Sequence, residues 1–365
     1  MATNLDKIRR VVETSKAAAA HYGVSWAKVF ARVAHLRLGK RFRPKETFLW
    51  GLADPRLPRS EIDRHVSRSA LYRLQAVHNP MSLTYLTENK AVFYALCAGA
   101  GIRAPELFAV YHPRGGWVRD PKEPGKTRLI FDAAEWRRYL ADEGPDSFVV
   151  KPARGVYARG LRVLTRTSTG DELLEPSGSS ITPAELIEAM AADPRYDTWL
   201  LQERLDNDPA LRRLSGSRAL QTARVVTFVG DDRRPRVLFA CMKVIASEHL
   251  SDNFDYGTSG NLLANLELDS GRLEDVKGKH PSGFGLTTHE THPRTGASFE
   301  GFVLPHWPET RDLAEQAALQ FLPLRTIGWD IAITPGGPSI LEGNVWWDPL
   351  HNAHQLVPRY LETFR

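Results

Sequence analysis

Cysteine and methionine are scarce in this chain, with 2 and 4 copies among 365 residues. Cys97 and Cys241 lie far apart, each inside an apolar run, and neither has a second Cys or a paired His at ligand spacing. A disulfide framework and a zinc finger are therefore excluded, and both side chains read as buried thiols in a reducing cytoplasm. No apolar run approaches the roughly 18 residues that a membrane-crossing helix needs. The opening stretch carries Asp6, Lys7, Arg9, Arg10, Glu13 and Lys16, which argues against a cleavable leader. A cytoplasmic chain with no membrane insertion is expected. Neither sign of charge dominates: 48 Lys and Arg face 43 Asp and Glu, a formal balance of +5. That balance permits a nucleic-acid partner without requiring one. The single dense basic cluster, Arg37, Lys40, Arg41, Arg43 and Lys45, reads either as a small solvated surface or as a docking site for tRNA or another polyanion.

With 42% hydrophobic and 25% charged residues the chain is of ordinary globular type, long enough for two or three subdomains. A first segment, 1–75, stands apart by composition. It is rich in Ala, Arg and Leu and reads as helices broken at Arg43-Pro44 and between Asp54 and Pro58. Thr87 is expected to cap a helix carrying Val92, Phe93, Leu96 and Cys97 on one face, with Gly101 ending it. Asp132 with Glu135, and Thr182 with Pro183 and Glu185, read as further helix starts. Strands are expected at 107–111, 148–151, 161–164, 199–204, 223–229, 237–244 and 262–268. Polar surface loops are expected at 121–126 and 170–180. Strands outnumber helices without strict alternation, which points to an α+β fold on antiparallel sheets rather than a doubly wound sheet.

Three stretches carry chemistry. Lys151-Pro152-Ala153-Arg154-Gly155-Val156-Tyr157-Ala158-Arg159-Gly160 joins two strand patterns, with a lysine at its root. Gly155 and Gly160 free the backbone to turn N–H groups toward an anion, and Lys151, Arg154 and Arg159 add charge, so the loop suits a polyphosphate or is a basic hairpin tip in water. The strand from Trp199 ends in Gln202-Glu203-Arg204-Leu205, a geometry that can read an adenine edge through backbone groups, with Asp206 or Asp208 near for ribose hydroxyls. Finally, 328–334 and 339–344 flank Pro335-Gly336-Gly337-Pro338. Folding at Gly336 and Gly337 brings Asp330 toward Glu342, with Asn344 on the same face as Glu342. Two carboxylates and an amide form an all-oxygen set that suits Mg²⁺; acids merely facing water are the alternative.

Other signals are discounted. Gly125-Lys126-Thr127 lacks the leading glycine of a phosphate loop, since position 120 is Asp120. His289-Glu290-Thr291-His292 is one residue short of the helical zinc motif. His351 and His354 read as surface or packing residues, and Gly283-Phe284-Gly285 lacks a third glycine.

In this order and spacing, from about residue 80 onward, the pieces resemble the ATP-grasp superfamily. Thr222-Ala223-Arg224-Val225-Val226-Thr227, Asp252-Asn253-Phe254 with Gly257, and Gly328-Trp329-Asp330 look most like its sugar-transfer-associated branch. The resemblance implies two α+β subdomains clamping ATP, preceded by a helical extension (1–75) and a pre-ATP-grasp region (76–140). Residues 141–220 would be the small lid subdomain and 221–365 the metal and substrate subdomain. It further implies that Lys90 and Lys151 hold phosphates, with Arg154, Gly155 and Gly160 in the loop above them. Gln202, Glu203, Leu205 and Asp208 would serve the nucleoside, and Asp330, Glu342 and Asn344 would ligate Mg²⁺. Arg224, Lys243 and Asn253 would stand by the γ-phosphate and acyl group. The implied activity is an ADP-forming ligase joining a small-molecule carboxylate to an amine or related nucleophile through an acylphosphate. A hydroxyl kinase on the same fold, or a nucleotide-binding module with a basic docking extension, stays open. The 271–307 insertion is a candidate for part of an acceptor pocket; Trp346 and Trp347 would stand beside the acyl site, where flat indole faces could contact a sugar or aromatic substrate or equally close a core.

Overall fold

A computed structural model describes residues 4–348 apart from 121, 124, 156–158 and 249–250. Tyr157 of the glycine loop, and His351 and His354, thus lie outside the described residues. The chain divides into two compact units. The first comprises Met1–Met81, Asn207–Pro338 and Asn344–Arg365; the second comprises Ser82–Asp206 and Ser339–Gly343.

The first unit begins with five helices: α1 (Asn4–Tyr22), α2 (Trp26–Gly39), α3 (Pro44–Leu49), α4 (Arg59–Asp63) and α5 (Arg68–His78). Pro44 opens α3 and Pro58 caps α4, so the expected breaks fall at the prolines, where a missing N–H costs a helix start nothing. Small residues let α1 and α2 pack closely, with Ala18 and Ala19 against Val29 and Val33.

The second unit holds α6 (Tyr85–Glu88), α7 (Lys90–Gly99), β1 (Leu107–Tyr111), β2 (Gly116–Arg119), β3 (Thr127–Ile130) and α8 (Ala133–Arg138). These are followed by β4 (Ser147–Pro152), β5 (Arg162–Arg166), β6 (Leu173–Leu174), β7 (Ser180–Ile181), α9 (Pro183–Ala192) and β8 (Trp199–Glu203). Its eight-stranded sheet runs β3-β2-β1-β8-β4-β5-β6-β7, antiparallel in every described pairing. Trp136, Tyr139, Leu186 and Met190 from the helical segments cover Phe148, Val150, Leu164 and Leu201 of the strands. The start of α7 corrects the sequence reading. Asn89, not Thr87, is its cap, accepting from the N–H groups of Ala91 and Val92. Thr182 and Glu185 do form a reciprocal capping box on α9. The segment 170–180, expected as a loop, contributes β6 and the first residue of β7.

The first unit then resumes with α10 (Pro209–Ser215), β9 (Thr222–Val229), β10 (Pro235–Val244), β11 (Leu262–Leu266), β12 (Leu273–Lys279) and β13 (Leu286–Thr288). It closes with α11 (Trp307–Gln320) and β14 (Thr326–Thr334); of the last strand, β15 (Gly337–Asn344), residues Ser339–Gly343 belong to the second unit. The seven-stranded order is β13-β12-β11-β10-β9-β14-β15. The turn before β15 is Pro335-Gly336, one residue earlier than expected. Gly337 already belongs to the strand, at φ +103, a value that favours glycine, and its carbonyl accepts from the Thr334 hydroxyl at 2.6 Å.

Period-2 alternation sorts this sheet into two faces. Val226 and Phe228 of β9, with Phe239 and Cys241 of β10 and Leu263 of β11, pack against Leu49, Leu71 and Trp347. The helical amino-terminal region therefore covers one face of the sheet. On the other side α11 contacts β9, β10 and β14, and Phe321 meets Trp329 edge-on at 5.2 Å.

Candidate functional site

In the second unit the apolar strand β4 carries Lys151 next to its last residue, and the lysine is buried. Its Nζ donates to the Tyr94 hydroxyl at 2.8 Å and sits 4.9 Å from the Tyr94 ring centroid. Burial, then the nearby charge of Lys90, push Lys151 down to about 7 against the pull of Glu342. Lys90, first residue of α7, donates to the Gly155 carbonyl at 3.0 Å and lies 3.9 Å from the Glu342 carboxylate. Lys90, Lys151, Gly155 and Glu342 therefore form one charged cluster inside this unit. Arg154 points to solvent, and Gly160 is half-buried beyond the residues that are not described.

The expected nucleoside residues separate in character. Gln202 is buried on β8 and has an Oε1 with no partner, a polar atom inside the protein awaiting a donor. Glu203 is fastened to Glu106: its N–H donates to the Glu106 carbonyl at 2.8 Å, and its carboxylate accepts from the Glu106 N–H at 3.1 Å. Leu205 follows, half-buried. Asp208 belongs to the first unit, where it caps α10 by accepting from the Ala210 N–H at 2.8 Å.

The first unit holds the second cluster. Register sets Asp330 of β14 opposite Arg224 of β9, and Arg224 opposite Cys241 of β10. The Arg224 fork closes on the Asp330 carboxylate at 2.6 and 2.9 Å. Lys243, two residues beyond Cys241, reaches the same carboxylate at 2.9 Å and Asp252 at 3.9 Å. Asp252 also accepts from the N–H and hydroxyl of Thr222, at 2.8 and 2.5 Å. Burial alone would lower Lys243, but Asp252 and Asp330 outweigh it and hold the amine above its usual range. Burial raises the Cys241 thiol to about 12, so that sulfur is inert at neutral pH. Asp252 went unassigned in the sequence reading, although it directly precedes Asn253, whose carbonyl accepts from the buried Asn261 at 3.1 Å.

The fit of a metal to the expected ligands rests on donor chemistry. Asp330, Glu342 and Asn344 offer only oxygens, as Mg²⁺ prefers. Asn344 is held by its amide nitrogen, which donates to the Gly328 carbonyl at 3.3 Å, and only its Oδ1 is able to coordinate a cation. Among the described residues no group of three or more His, Cys, Asp or Glu side chains is placed to hold an ion. At Asp330 an ion would share the carboxylate with two cationic side chains.

Past Asn344 the tryptophans divide. Trp347 is core: its indole donates to the Thr326 hydroxyl at 3.1 Å and its carbonyl accepts from Gln75 at 2.7 Å. Trp346 faces Tyr72 of α5 at 5.4 Å, and Asp348 pairs with Arg68 of α5 at 2.6 Å. In the 271–307 insertion His292 is buried with Nε2 2.9 Å from the Ile245 carbonyl, a loop fastener. Within the basic cluster Lys40 pairs with Asp63, and Lys45 lies over the Tyr256 ring at 4.1 Å.

The sequence model of the sugar-transfer associated ATP-grasp family matches residues 69–359. The chain belongs to that family. The match begins inside α5, earlier than the motifs alone suggested. No curated protein matches this ATP-grasp chain. Among solved structures it is similar to the D-alanine-D-alanine ligase of Coxiella burnetii, with TM-score 0.38 and 10% identity over 76% of this chain and 56% of that one. It is similar also to an L-amino acid ligase from Bacillus licheniformis, with TM-score 0.40 and 12% identity over 82% and 54%. A third is the biotin carboxylase of Campylobacter jejuni, with TM-score 0.39 and 10% identity over 74% and 43%. The chain thus spans about half the length of these structures, and at such scores the likeness carries nothing about activity. No helix among the described residues is long and apolar enough to cross a membrane.

Proposed function

We propose that this ATP-grasp chain is an ADP-forming ligase that activates a small-molecule carboxylate and joins it to an amine or related nucleophile. The family match over residues 69–359 carries the reading, and both charged clusters are consistent with it. Lys90 and Lys151, with Arg154 and the backbone of Gly155 and Gly160, take the phosphates. Gln202, Glu203 and Leu205 take the adenine, and Asp208 the ribose. Asp330, Glu342 and Asn344 hold Mg²⁺, which when bound offsets charge on the transferring phosphoryl group.

A carboxylate oxygen of the substrate attacks the γ-phosphorus, the bond to the β–γ bridging oxygen breaks, and ADP leaves. The nucleophile then attacks the acyl carbon, inorganic phosphate departs, and the nucleophile gives up a proton. Arg224 and Lys243 stabilise the oxyanion formed at the acyl carbon, and Asn253 contributes a polar contact beside them.

Hydroxylamine, supplied with ATP, Mg²⁺ and a panel of carboxylates, tests the chemistry: a hydroxamate with equal release of phosphate is expected. A stable phosphorylated product without phosphate release would replace ligation by kinase chemistry. Glu342→Gln is expected to abolish phosphate release while circular dichroism stays that of the parent, and unchanged turnover would remove Glu342 from the metal set.

A further inference from the structure

We propose that Tyr94 is a positioning residue that aims the phosphate-binding lysine, Lys151, through its hydroxyl. The inference rests on the nucleotide reading above and assigns a role to a residue that no motif singled out. Tyr94 lies on α7, 3% exposed, and packs edge-on against Phe93 at 5.4 Å.

A phenol has one proton to give and two lone pairs to receive with. The Tyr94 proton goes to the Leu341 carbonyl at 2.7 Å, an acceptor that has no alternative. Its oxygen must therefore accept, and it does so from Lys151 Nζ at 2.8 Å. The direction of every bond in the chain Lys151 to Tyr94 to Leu341 is fixed in this way. Leu341 immediately precedes Glu342, so one hydroxyl ties the lysine at the end of β4 to the main chain beside a proposed metal ligand. A lysine stem has four rotatable bonds, and holding its amine at one end of its range before ligand arrives removes an entropic cost from binding. The ring alone supplies packing and the cation–π contact at 4.9 Å; only the hydroxyl supplies direction.

The experiment is a double-mutant cycle on full-length protein, read by calorimetric affinity for the β,γ-imido analogue of ATP with Mg²⁺. Tyr94→Phe keeps the ring and deletes the hydroxyl, and is expected to weaken binding about tenfold, the loss typical of one hydrogen bond to a charged group. In a Lys151→Met background the same change is expected to cost less than about twofold, because the hydroxyl then has no amine to aim. Equal losses in both backgrounds, or a folded Tyr94→Phe protein that binds like the parent, would overturn the positioning role while leaving the nucleotide reading in place. A parent that does not bind the analogue would overturn the nucleotide reading and this inference with it. Should Tyr94→Phe fail to fold, Tyr94→Met, a smaller flexible apolar side chain without a hydroxyl, takes its place in the cycle.

Discussion

Arg224 and Asp330 stand opposite each other on adjacent strands and meet through two hydrogen bonds, at 2.6 and 2.9 Å, with both side chains almost wholly inside the first unit. A buried pair of this kind adds little net stability over an apolar pair of equal size, yet breaking it is expensive because the survivor is left charged in a poor solvent. Asp330→Ala abandons two cations, Arg224 and Lys243, and is expected to cost about 3–5 kcal/mol. Arg224→Ala leaves Lys243 to balance the carboxylate and should cost less. Denaturant titration orders the two variants, and an Asp330→Ala protein as stable as the parent would mean that the cluster is solvated in solution.

Gly328 makes room for the same pair. A β-carbon there would lie 2.7 Å from the Trp347 Cβ and 3.2 Å from the Arg224 Cδ. Trp347 is pinned at its indole by Thr326 and at its carbonyl by Gln75, so it has little freedom to retreat. Gly328→Ala is expected to destabilise by about 1–3 kcal/mol and to shift the guanidinium, lowering turnover along with stability. Melting and phosphate release measured together check this, and an alanine variant equal to the parent in both would show that the sheet yields at this point.

Much of this was legible as local pattern. The apolar runs that became β4, β8, β9 and β14, and the residue types at Lys151, Arg224 and Asp330, need only composition and spacing to be noticed. The pairing of Arg224 with Asp330 is not local: it depends on β14 lying beside β9, a neighbour relation no spacing encodes. Polar strands were hidden for another reason. Leu273–Lys279 carries Glu, Asp and two Lys, and becomes a strand because β11 offers it an edge, whereas its own propensity is weak. Thr87 and Asn89 are both good caps by type, and Asn89 won because its extended backbone turns its side chain onto the first free N–H groups of α7.

Lys151 yields a pH dependence with a definite sign. Its folded value near 7 lies below that of a free lysine, so in the unliganded protein the amine is charged below pH 7 and increasingly neutral above it. A bound phosphate favours the charged form. Affinity for the ATP analogue should therefore be greatest below about pH 7 and fall as pH climbs toward 9, with protons taken up on binding in that upper range. Calorimetry in buffers of different ionisation enthalpy reads the uptake directly. Lys151→Arg, charged throughout, is expected to flatten the profile; the same decline in that variant would assign the titration to another group.

Asn79 bears on what the helical amino-terminal region is for. It follows α5 directly, is 1% exposed, and its amide both donates to the Thr326 carbonyl at 2.8 Å and accepts from the Thr326 N–H at 3.0 Å. Those two bonds satisfy main-chain groups of β14 as a neighbouring strand would, and deleting them leaves an N–H and a carbonyl buried without partners. Asn79→Ala is expected to cost about 2–4 kcal/mol. Asn79→Asp keeps the acceptor but sets a carboxylate oxygen against the Thr326 carbonyl, so it should be no better. With Leu49 and Leu71 packed on Phe228 and Trp347, the helices form part of the same core as the sheet that carries Arg224 and Asp330. Removing residues 1–79 is accordingly expected to leave a chain that does not fold; a soluble, cooperatively melting product of that deletion would reduce the helices to an appendage.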